Sequence, residues 1–183
     1  NILVIPGFFK EGISKEEKYS EKMKMIETLI KFTEAANKYG LTVLMEEYDS
    51  SDAPFSTSQG LRDYLDAVPD LFCTFDTGNF IYNDEDVFQA YELFRDKICH
   101  VHLKDRTVER IYDQDQGKNS ADGTKVFYPA PVGEGMLSLE DIVKRLKQDG
   151  YDGIYTIEHY GASRQKEFLR KSSKWIDRNF DIL

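Results

Sequence analysis

Short apolar runs and longer amphipathic stretches alternate along this chain. Ile2 to Ile5 is an apolar, β-branched run stopped by Pro6-Gly7, which predicts a strand ending in a turn. From Ser14 to Tyr39, Met23, Ile26, Ile30, Thr33 and Ala36 recur at three- and four-residue steps, the period of a helix buried on one face. Ser14 with Glu17 forms a capping-box signature at its start, and Gly40 closes it. Thr42 to Tyr48 predicts the next strand. Thr57 to Val68 predicts a helix with Leu61, Tyr64, Leu65 and Val68 on one face. The alternation continues with a strand at Leu71 to Phe75, a helix at Asp84 to Asp96 and a strand at Ile98 to Leu103. It ends with a helix at Leu139 to Gln148 closed by Gly150, a strand at Gly153 to His159 and a helix at Gln165 to Asn179. The polar stretch from Lys104 to about Pro131 is too long for a routine connection and is expected to be a functional loop.

Five strands, each followed by a helix, give an α/β chain. Nearly all-apolar strands suit a parallel sheet buried on both faces. The alternation leaves an open doubly wound sheet or a closed barrel. No glycine-rich phosphate loop follows a strand, and the first turn, Pro6-Gly7-Phe8-Phe9, is no dinucleotide fingerprint. With 183 residues and no linker or low-complexity tract, residues 1–183 are expected to be one domain, or a large part of one.

Composition narrows the ligand classes. Hydrophobic residues make up 40% and charged residues 31%, a folded rather than a disordered profile. A net charge of -9 disfavours nucleic acid, whose backbone needs a positive surface. No apolar stretch reaches membrane-spanning length, so no membrane partner is expected. Cys73 and Cys99 lie in apolar strand runs and read as small buried hydrophobes, which fits a reducing, cytoplasmic location. The chain opens on an apolar run with no initiator Met and no signal-peptide pattern, so its natural start is expected upstream of Asn1.

The strand ends carry the candidate chemistry. The second strand ends Met45-Glu46-Glu47 and the third Phe75-Asp76-Thr77-Gly78-Asn79. The fourth reads His100-Val101-His102-Leu103-Lys104-Asp105 and the fifth Thr156-Ile157-Glu158-His159. In a parallel barrel these ends emerge on one face, where active sites lie. Strand alternation pairs Leu44 with Glu46, Thr74 with Asp76, His100 with His102 and Thr156 with Glu158, so each candidate ligand shares the inward parity. Three carboxylates in an apolar mouth repel one another, and a divalent cation removes that problem. Three carboxylates with one imidazole favour Mn²⁺ or Mg²⁺, with Zn²⁺, Co²⁺ and Fe²⁺ as further fits.

These runs, with Pro131-Val132-Gly133-Glu134-Gly135 and Gly150-Tyr151-Asp152-Gly153, resemble the sugar phosphate isomerase/epimerase group of the xylose isomerase-like TIM barrels. The resemblance covers essentially the whole chain. It implies a (β/α)8 barrel of which this chain supplies about the last five βα units, since a full barrel takes about 250 residues. It implies one metal held by Glu46, Asp76, His102 and Glu158, with Glu46 and Glu158 also the acid/base pair. The implied activity is metal-dependent isomerisation or epimerisation of a small sugar or sugar phosphate through a cis-enediolate. An inosose-type dehydratase shares the enolisation step. An endonuclease IV-like phosphodiesterase shares the barrel but needs extra histidines, and this chain has three. A non-catalytic barrel remnant is the non-enzyme alternative. Two exposed sheet edges and apolar surface would leave room for a homo-oligomer.

Asn79 stands where many relatives of this group carry His; it can hydrogen-bond a substrate but cannot titrate. Lys104 and Arg106 are candidates for anchoring a phosphate or hydroxyls, with a surface ion pair as the alternative. His100 is expected to be a packed, hydrogen-bonded histidine, His159 a helix-layer or surface residue, and Glu47 solvated or salt-bridged. Glu134 acquires no chemistry from its Gly-Glu-Gly setting. Phe8, Phe9, Tyr48 and Phe80 are read as core packing rather than a pocket wall.

Overall fold

The structure is a computed structural model that describes residues 1–180. Its main sheet is parallel, with strand order β1 (Ile2–Leu3), β2 (Val43–Glu46), β3 (Leu71–Asp76), β4 (Ile98–Leu103) and β8 (Tyr155–Ile157). The helices are α1 (Lys15–Asn37), α2 (Ser58–Ala67), α3 (Val87–Phe94), α4 (Leu139–Gln148) and α5 (Gln165–Phe180). Every strand that the apolar runs predict joins this sheet. The chain forms two compact units, Asn1–Phe75 with Gln89–Cys99, and Asp76–Phe88 with the described residues from His100 onward.

In the first unit α1 starts as the capping box requires. The Ser14 hydroxyl accepts from the Glu17 amide and the Glu17 carboxylate accepts from the Ser14 amide. Its buried stripe is Ile26, Leu29, Thr33 and Ala36; Met23 lies on the exposed side and Leu29, not Ile30, completes the face. The β1–β2–β3 register aligns Leu3 with Leu44, and Glu46 with Thr74. Glu47, one step past the strand, is fully buried, which removes the solvated reading. The Cys73 amide donates to the Lys97 carbonyl, tying β3 to the start of β4.

In the second unit the Thr77 amide donates to the His102 carbonyl, and β4 pairs with β8 so that His102 faces Thr156. The polar stretch after Lys104 is not one long loop. It folds as an antiparallel sheet in the order β5 (Asp105–Thr107), β7 (Val126–Ala130), β6 (Lys118–Asn119). A 3-10 turn at Phe80–Asn83 precedes α3, which begins later than its apolar pattern suggests. Asp84 adopts a left-handed φ of 56° and Asp86 accepts from the Phe88 amide, so the chain turns before the helix starts. Among the described residues no helix is long and apolar enough to cross a membrane.

Candidate metal centre

Asp76 ends β3, His102 lies one residue before the end of β4 and Glu158 directly follows β8, and all three residues belong to the second unit. One ligand atom of each lies within 4.8 Å of the others. The His102 Nδ1 is 3.3 Å from a Glu158 oxygen and 3.8 Å from an Asp76 oxygen. The side chains range from 0% exposed at Asp76 through 14% at His102 to 32% at Glu158, so the cluster is deep at one end and open at the other.

Lys104 closes this group. Its ammonium sits 2.6 Å from Glu158 and 3.2 Å from Asp76, and donates to the Asn79 side-chain oxygen at 2.8 Å. Only 4% of the side chain is exposed, so the surface ion pair foreseen as an alternative is not what forms. Gly78 makes room for it: a Cβ there would lie 2.7 Å from the Lys104 Cγ and 2.8 Å from its carbonyl oxygen. The Thr77 hydroxyl fixes the same backbone, donating to the Lys104 carbonyl and accepting from its amide.

Burial alone would push the Glu158 carboxyl up. The His102 hydrogen bond and the Lys104 charge outweigh it and hold Glu158 at about 2, ionised at neutral pH. Asp76 is pinned by one oxygen, which accepts from the Gly78 amide, while its other oxygen takes no hydrogen bond and lies toward Lys104 and His102. Two carboxylates and an imidazole gathered around a buried ammonium form a set that requires positive charge at its centre. Oxygen donors with one imidazole nitrogen also suit a hard or borderline divalent metal.

The other residues singled out in the sequence divide clearly. Asn79 is buried and bound to Lys104. Arg106 is buried at 2% exposure and donates to the Tyr160 carbonyl. Glu46 ends β2 in the other unit, aligned with Thr74, two residues before Asp76. His100 hydrogen-bonds Thr156 and packs edge-on against His102, the packed histidine its parity predicts. His159 faces α5, bound to the buried Ser172 hydroxyl and edge-on to Phe168. Glu134 makes an exposed pair with Lys171.

Asp105 has a role that the sequence reading passed over. It accepts from the amides of Gly133, Gly135, Leu137 and Arg106, and so ties the Gly-Glu-Gly loop to the strand after His102. Burial pushes its carboxyl up to about 6 against the pull of those four amides. The two glycines were the available signal. A Cβ at Gly133 would strike the Trp175 ring at 2.0 Å and one at Gly135 an Asp105 oxygen at 2.1 Å.

Comparison with known proteins agrees with this architecture. Inosose dehydratase from Lacticaseibacillus casei is 26% identical over 112 residues, which is 59% of this chain and 38% of that protein. This chain thus spans well under half the length of that curated relative. The structure of the IOLI protein with a bound zinc atom superimposes with a TM-score of 0.70 at 16% identity, covering 96% of this chain and 61% of that one. A D-tagatose 3-epimerase-like protein gives 0.67 at 21% identity, covering 95% and 63%. The xylose isomerase-like TIM barrel model matches residues 1–179. Sequence, strand order and family model therefore agree, and the chain belongs to the xylose isomerase-like TIM barrel family.

Proposed function

We propose that the protein is a metal-dependent isomerase or epimerase of a small sugar or sugar phosphate, with Glu46, Asp76, His102 and Glu158 as metal ligands. The observation that carries this reading is Glu158, a partly open carboxylate kept ionised beside an imidazole and a second carboxylate. The donor set favours Mn²⁺ or Mg²⁺; the zinc atom bound in the IOLI protein, which shares the fold, supports a divalent ion. Glu46, at the end of β2, is the fourth member that the strand-end pattern of the sequence supplies. A bound divalent ion would draw charge from adjacent carbonyl and hydroxyl oxygens of the sugar and so acidify the C–H between them.

The chain's own residues do the rest. Glu158, ionised at neutral pH, takes the proton from that carbon. Glu46, entering the step protonated, gives a proton to the neighbouring carbon while a hydroxyl proton moves between the two oxygens, giving isomerisation, or to the opposite face of the same carbon, giving epimerisation. Solvent then takes the proton from Glu158 and reprotonates Glu46. Asn79 and Lys104 orient sugar hydroxyls, Asn79 by hydrogen bonding without proton exchange. The test is incorporation of solvent deuterium into substrate carbon with Mn²⁺ present. Glu158→Gln should abolish it while metal binding persists; exchange at the wild-type rate in that variant overturns the assignment.

A second reading, dehydration of a cyclic polyol ketone, is favoured by the inosose dehydratase relatives. It shares proton removal by Glu158 and then expels a β-hydroxyl. Product analysis on ketoses and inososes separates the two outcomes.

A further inference from the structure

The Arg106 guanidinium is buried with one of its edges unused. Among the described residues only Nη1 has an acceptor, the Tyr160 carbonyl at 2.9 Å. Nε and Nη2 are buried and have no hydrogen-bond partner among the described residues. These two nitrogens share one edge of the planar fork, the edge that binds a carboxylate or phosphate through two parallel N–H bonds. The adjacent carboxylate, Asp105, is committed to four backbone amides. A guanidinium taken out of water without an anion is strongly disfavoured, so its retention here needs a cause.

The antiparallel sheet places a second cation on the same side. Arg106 pairs with Pro129 and Lys118 with Phe127, and Phe127 and Pro129 are two residues apart on β7. Directly opposed residues share a face, so Arg106 and Lys118 project from the same, inner face of this sheet. Both cations lie over the ring of Tyr82, at 5.7 and 5.8 Å from its centroid. Tyr82 in turn lines a cavity of about 150 Å³ between the 3-10 turn and the turn at residues 120–125. The arrangement is tied to the metal centre by chain connectivity: Tyr160 is two residues beyond Glu158, and Arg106 two beyond Lys104.

We propose that the Nε–Nη2 edge of Arg106, with Lys118 alongside and Tyr82 as the movable wall, is a binding site for an oxyanion carried by the sugar substrate, a phosphate monoester or a carboxylate. This deepens the sugar-enzyme reading and rests on it for the identity of the ligand's other end. Entry is from the cavity side and requires the Tyr82 ring and the two-residue strand β6 to shift.

The test uses the full-length protein without metal or turnover, so its outcome is independent of the isomerase assignment. Thermal unfolding and calorimetric titration are run with inorganic phosphate, with acetate and with chloride at matched ionic strength. Wild-type protein should be stabilised by phosphate or acetate and not by chloride; the preferred anion names the substituent. Arg106→Met should lose that response and melt at a higher temperature than wild type in anion-free buffer, because it removes an unpaired buried charge. Arg106→Lys should keep the charge but bind the anion at least tenfold more weakly, lacking the fork. Equal responses to all three salts overturn the proposal. So does an Arg106→Met variant that melts lower, as a purely structural arginine would require. A crystal structure in which a protein carboxylate occupies the Nε–Nη2 edge overturns it as well.

Discussion

The Lys104 ammonium lies 2.6 Å from a Glu158 oxygen, inside a cluster whose chemistry also suits a divalent metal. The lysine therefore satisfies the carboxylates when no other cation does. Lys104→Met should cost the metal-free protein about 3–5 kcal/mol, the range for stripping one partner from a buried ion pair. Added Mn²⁺ should restore most of that loss. Urea unfolding in chelator and in Mn²⁺ measures both; a variant as stable as wild type in chelator would show that the pair contributes nothing.

Asp105 holds the Gly-Glu-Gly loop through both carboxylate oxygens. An Asn there presents an N–H₂ to backbone amides that can only donate. Asp105→Asn should therefore cost about 2–4 kcal/mol, one or two charge-assisted hydrogen bonds and an unmatched donor. Faster amide hydrogen exchange at Gly133 and Gly135 should accompany it. Unchanged exchange at those amides would refute the anchoring role.

Gly133 has a φ of 81° and faces the Trp175 indole. Gly133→Ala adds both a strained backbone and an overlap, and should destabilise by about 1–3 kcal/mol. Trp175 is the single tryptophan, so its emission reports the displacement directly. An unshifted spectrum with unchanged stability would contradict the packing described.

His159 is pushed down to about 4, by burial first and by the Arg106 charge second. The folded state thus favours the neutral ring more than the unfolded chain does. Its stability contribution is complete above pH 6.5 and is lost as pH falls from there toward 4. His159→Gln should flatten the acid side of the stability profile between pH 6.5 and 4. Parallel profiles for variant and wild type would exclude His159 as the titrating group.

The elements with strong local signals were readable. The capping box of α1, the bounds of β4 and those of α4 emerge as their patterns predict, because each depends on residues within one turn or one strand. Asp76, His102 and Glu158 were readable because strand parity and chain order place them together at parallel strand ends. The three-stranded sheet after Lys104 was not. Its strands are two to five residues long, one contains Pro129, and the β5–β7 pairing joins residues far apart in sequence, so no local period marks them. Asp105 escaped for the same reason, since its partners lie about thirty residues downstream. The burial of Lys104 and Arg106 was equally hidden, because a charged pair after a strand has the same pattern whether it faces solvent or the interior.

The graded exposure of the cluster also has a consequence in time. A cation entering the proposed site from solvent would meet Glu158 first, then His102, and would reach Asp76 only after Lys104 had given up its place. Metal uptake at the proposed site would then be an ordered exchange of one positive charge for another. A fast encounter whose rate rises with ion concentration should be followed by a slower phase that saturates at the rate with which the lysine lets go.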